Sequence, residues 1–167
     1  MTKVPAASFT EFIDFFPLME PPFSLLPDIG LIPSTTAPLP LILIESYILP
    51  FEGEETDEYT EYIPYGRILG TKDFYALIYW KAGLMQYEFI LATYDLSGQP
   101  LSHGIVGGLR SDEEGLLHSV AVIHEDLSIT IAEALTAEGT ELNLDQTNTY
   151  QMSIESSGQI RYGTHEE

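Results

Sequence analysis

Phe74-Tyr75-Ala76-Leu77-Ile78-Tyr79-Trp80-Lys81 is the stretch that decides the fold. In an extended chain Phe74, Ala76, Ile78 and Trp80 point to one side while Tyr75, Leu77 and Tyr79 point to the other, so this strand is apolar on both faces and belongs centrally in a sheet. Gly83 then turns the chain, Met85 to Tyr94 gives a second strand, and Asp95-Leu96-Ser97-Gly98 turns it again.

Strands continue outward from this pair at short intervals. Tyr62 to Leu69 precedes it, and Leu101 to Leu109, Leu116 to His124, Ser128 to Leu135, Tyr150 to Ile154 and Gln159 to Tyr162 follow. The alternation is cleanest near the end, where Tyr150, Met152 and Ile154 face one way and Gln151, Ser153 and Glu155 the other, which leaves one side wet. Connections this short cannot make parallel crossovers, so neighbouring strands pair as antiparallel hairpins. The expected fold is mainly β: an antiparallel meander over 41–167, arranged as a curved sheet, a sandwich or an open barrel.

The part before the meander reads differently. Ser8 and Glu11 have capping-box spacing, and Phe9, Phe12, Ile13 and Phe16 recur at i, i+3, i+4 and i+7, which predicts one short helix within 1–16 that ends at Pro17. Its Phe face needs cover, either from the sheet of its own chain or from a second protomer. Prolines at 17, 21, 22, 27, 33, 38 and 40 make 17–40 an extended strap lying against the body. Leu41 to Leu49 reads as the first strand, and Glu52 to Glu61 as a solvated acidic loop.

Two turns share their chemistry: Tyr94-Asp95-Leu96-Ser97-Gly98-Gln99 and Ile154-Glu155-Ser156-Ser157-Gly158-Gln159, with His124-Glu125-Asp126-Leu127-Ser128 midway and lacking the glycine. This pattern of a tyrosine-ended strand, an Asp-x-x-Gly turn and a second strand resembles β-rich bacterial proteins of uncharacterised function. The resemblance covers about the last two-thirds of the chain, implies hairpins and brings no active site.

The 167 residues suit one domain, which at this length buries roughly 70% of the surface exposed by the unfolded chain. There are no cysteines, which excludes disulfides, thiolate metal sites and a cysteine nucleophile and fits a cytoplasmic location. The most apolar run, Leu39 to Leu49, is broken by Pro40 and Glu45 and is shorter than the roughly 20 residues of a membrane helix.

The net charge is −20, with six acids and no base in 51–61 and twelve acids against one base in 111–167. Such a surface repels nucleic-acid phosphates and anionic lipids and favours cationic partners. Charge of this size also serves solubility or tolerance of salt.

No Walker loop, G-x-S-x-G elbow, G-x-G-x-x-G, H-E-x-x-H or EF-hand pattern is present, so catalysis is not favoured and no cofactor is implied. Glu54, Glu55, Asp57 and Glu58, interleaved with Tyr59, Tyr62 and Tyr65, form a candidate surface for a basic protein. His103 and His118 form a candidate metal or acid–base pair if their strands bring them together, with Asp112, Glu113 or Glu114 as further ligands. Gly104-Ile105-Val106-Gly107-Gly108-Leu109-Arg110 has the glycines of an anion loop, but the acids after Ser111 oppose an anion, so a bulged or sharply bent strand explains it better.

The leading expectation is therefore a non-catalytic interaction protein for a basic partner, immunity-like in one version, acting as a monomer or homodimer. The alternative is a small-ligand protein or enzyme with a histidine and carboxylate pocket in the curved sheet.

Overall fold

The computed structural model describes residues 8–27, 39–52, 59–83, 86–112, 115–136 and 148–163. The chain begins with α1 (Phe9–Asp14), whose N-terminus is capped by the Ser8 hydroxyl accepting from the Thr10 and Glu11 amides at 3.1 and 3.4 Å. The strap that follows contributes two short strands, β1 (Leu18–Met19), parallel to β3, and β2 (Phe23–Leu25). The meander then runs β3 (Glu61–Ile68), β4 (Phe74–Gly83), β5 (Gln86–Asp95), β6 (Pro100–Asp112), β7 (Gly115–Ile123), β8 (Ser128–Thr136), β9 (Asn148–Ile154) and β10 (Ile160–Tyr162). Each of these pairs antiparallel with the next, in one ten-stranded, open and curved sheet.

The segment read as a first strand is helical instead. Leu41–Leu43 (α2) passes into a π-helical turn, Ile44–Ile48, and then into α3 (Leu49–Glu52). The reason is a stripe at i, i+3, i+4 and i+7: Ile44, Tyr47, Ile48 and Phe51 all pack on the outer face of the sheet. The wide turn, in which the Leu49 amide donates to the Ile44 carbonyl, precedes Pro50, which has no amide to give to Ser46.

β4 and β5 are covered on both faces. On one side Ala76, Ile78, Trp80, Phe89 and Leu91 meet Ala121, Ile123, Ile129, Ile131, Met152 and Ile154 from the later strands, forming an inner core. On the other side Leu77, Tyr79, Ile90, Ala92 and Tyr94 meet Phe12, Phe16, Leu43 and Ile48 from the helices, forming an outer core. The Phe face of α1 thus lies on the sheet of its own chain, with Phe12 stacked on Tyr47 at 4.9 Å between ring centres.

The halves of the sheet face each other because β6 bends. It pairs with β5 along most of its length but with β7 only from Gly108 to Asp112, and β2 takes its place beside Ala121, Val122 and Ile123. At the bend β6 holds an extra residue opposite Glu88–Ile90, a bulge, with φ of 150° at Gly107 and 147° at Gly108. A Cβ at Gly108 would lie 2.1 Å from the Tyr87 carbonyl oxygen, so only glycine fits.

The far end of the fold is clasped. Thr93 Oγ1 donates to the Gly158 carbonyl at 2.6 Å, and the Ile160 amide donates to Ser102 Oγ at 3.3 Å. Three turns at this end share one hydrogen-bond pattern, closed by amides of Gly98, Leu127 and Gly158 on the carbonyls of Asp95, His124 and Glu155 at 3.0, 2.9 and 2.8 Å. Leu127 occupies the glycine position with φ of 69°, a strained backbone held by its packing against the inner core.

Gly108→Ala is expected to lower stability by about 3 kcal/mol, through overpacking and a backbone that side chains avoid. Urea unfolding measures this, and an unchanged midpoint would contradict the bend as described.

Candidate functional site

The meander sorts its connections by end. Glu61, Gly83, Gln86, Asp112, Gly115, Thr136 and Asn148 are strand ends that the register places at the end opposite the clasp. The stretches outside the described residues that connect at these ends, 53–58 (through Tyr59 and Thr60), 84–85, 113–114 and 137–147, hold nine acids and no base. Glu54, Glu55, Asp57 and Glu58 are among them.

Of the interleaved tyrosines, Tyr59 is 62% exposed, whereas Tyr62 is buried against Tyr79 in the outer core and Tyr65 is half-buried with its ring edge on Phe89. Strand alternation sends the last two into opposite cores, so Tyr59 is the one that presents its ring to solvent.

His103 and His118 are not brought together. Their strands pair as expected, but His118 stands opposite Leu109, and the six residues from there to His103 span about 20 Å of strand. His103 stacks on Phe51, ring centres 4.6 Å apart, and His118 lies beside Ala134 in the next ladder. Among the described residues no group of three or more histidines or acids could hold a metal ion.

One concave feature is a cleft of about 240 Å³ where β6 parts from β7, and neither histidine lines it. Tyr87, Arg110, Ser119, Glu133, Tyr150 and Tyr162 contribute to its wall. Glu133 is half-buried, and its Oε2 accepts from Ser119 Oγ at 3.4 Å and from the Tyr150 hydroxyl at 3.2 Å. Burial, the Glu133 charge and this hydrogen bond push the Tyr150 phenol up to about 12, while Arg110 pulls it down. Tyr150 therefore stays protonated at neutral pH and acts as a donor.

A line of alternating charges leads from the helices to this cleft. Glu52 accepts from Lys81 at 2.6 Å and from Tyr79 at 2.8 Å, Lys81 stands opposite Glu88 in the ladder, and Arg110 reaches Glu88 at 3.8 Å. A second hollow of about 300 Å³ lies at the clasped end, lined by Asp73, Asp126 and Glu155; Asp126 accepts from Ser128 and Glu155 pairs with Arg161. The cleft on the Glu133 side, which brings Glu133, Arg110 and three tyrosines together, is the better candidate.

Glu133, Ser119 and Tyr150 belong to no sequence motif. A signal was present, because Glu133 continues the inward register of Ile129 and Ile131 and so puts a carboxylate on an apolar face. Comparison with protein-family models, with curated proteins and with solved structures finds no match to the chain.

The raised phenol sets an alkaline dependence. Tyr150 ionises near 10.0 when unfolded and near 12 when folded, so its contribution is complete below pH 10 and disappears as pH rises through 12. Stability by urea unfolding is expected to fall across that window, and less steeply in Tyr150→Phe. Identical slopes would contradict the Tyr150–Glu133 contact.

Proposed function

We propose that this chain is a non-catalytic binding protein that engages a basic protein through the acidic end of its sheet, around the cleft beside Gly108. The observation that carries the reading is a convergence: the strand ends joined to the acid-rich sequence are at the end where the cleft walls of β7, β8 and β9 meet β5 and β6. Field from many like charges at one end steers an oppositely charged partner and sets its orientation.

Glu54, Glu55, Asp57, Glu58 and Tyr59 are the further proposed contact residues, with carboxylates for lysine and arginine and a tyrosine ring for their aliphatic stems. A stoichiometric inhibitor of a basic toxin or nuclease, as immunity proteins are, is the specific form this charge favours. The cleft volume of about 240 Å³ is below the roughly 300–1,000 Å³ of small-molecule pockets, which favours a side chain as its guest over a free ligand.

The test uses a defined probe, a short peptide of lysines and arginines, titrated calorimetrically into the full chain. Binding is expected at about 0.05 M salt and is expected to weaken by about tenfold or more at about 0.3 M. Replacing Glu54, Glu55, Asp57 and Glu58 with glutamine is expected to weaken it further. No binding at low salt, or binding indifferent to salt, would contradict the proposal.

A further inference from the structure

We infer that the cleft takes one guanidinium group, the end of an arginine side chain on the basic partner, against the carboxylate of Glu133. The inference rests on the reading above and narrows it from a charged end of the sheet to a single anchoring side chain.

The geometry of Glu133 points to it. Ser119 and Tyr150 both donate to Oε2, and no described residue donates to Oε1. The ion pairs among the described residues go elsewhere, to Glu52, Glu88 and Glu155. A half-buried carboxylate is thus held in orientation by two neutral donors and has no cation of its own among these residues. Charge in such a place gains most from a cation that also hydrogen-bonds.

The walls favour guanidinium over ammonium. Tyr87, Tyr150 and Tyr162 line the cleft, and a guanidinium stacks on aromatic rings and sheds its hydration more easily than an ammonium. Arg110 also lines the cleft, but its side chain is 51% exposed and its guanidinium lies 3.8 Å from Glu88, so it pairs with that acid while its charge opposes an incoming cation.

The experiment is an NMR titration of the full chain with N-acetylarginine methylamide and, separately, with N-acetyllysine methylamide. The arginine probe is expected to shift the Ser119, Glu133 and Tyr150 signals and to bind at least about fivefold more tightly than the lysine probe. Glu133→Gln is expected to abolish the shifts, and Arg110→Gln to strengthen binding by about fivefold. Equal binding of the two probes, shifts clustered elsewhere, or undiminished binding by a folded Glu133→Gln variant overturns the inference. Should that variant fail to fold, the arginine-to-lysine ratio in the unaltered chain decides alone. If the basic peptide binds in a salt-sensitive way and the arginine probe does not, the anchor is wrong and the acidic-end reading stands. If neither binds, both fall.

Discussion

A side chain at residue 108 would collide with the Tyr87 carbonyl, and the bend that glycine permits there governs the architecture. Because β6 leaves β7 beyond Gly108, the later strands turn over the earlier ones, and residues from both halves share the inner core. The same parting leaves β7 with unpaired backbone, which Phe23–Leu25 of the strap satisfies, placing Leu25 in that core without exposure. It also produces the cleft, since Gly107 and Gly108 are part of its wall. Core formation and site formation are consequences of one backbone event.

The second constraint is that a strand apolar on both faces must be covered twice. The later strands supply one cover, and α1 with the helical turns of 41–52 supplies the other through a group of rings that includes Phe9, Phe12, Phe16, Tyr47 and Tyr94. Glu52 ties the end of that helical layer to β4 through Tyr79 and Lys81, and the ladder carries the alternation of charge on to Glu88 and Arg110. A run of alternating charges therefore leads from the helical layer to the cleft.

Much of this was legible in the residues. The eight strands from Glu61 to Tyr162 follow the alternation and turn residues, and the glycine pair marked a bent strand, because these signals are local. Leu41 to Leu49 misled because a short apolar run does not declare its period, although Ile44, Tyr47, Ile48 and, just beyond it, Phe51 hold the helical one. What local pattern does not carry is register across distant segments. The offset of His118 from His103, the seating of β2 beside β7 and the bond from Thr93 to Gly158 depend on how far one strand slides along another. Glu133 lies between these cases: its inward parity was readable, while its company of Ser119 and Tyr150 came only with the pairing of β7, β8 and β9.

β7 changes partner at the glycine bend, and backbone Overhauser contacts in the full chain test this most directly. Inter-strand contacts are expected to join Phe23, Ser24 and Leu25 to Ile123, Val122 and Ala121, with the β6 ladder ending at Gly108 opposite Ser119. A ladder that instead continues past the bend, pairing the backbone of Val106 with Ala121 and of Gly104 with Ile123, would contradict it.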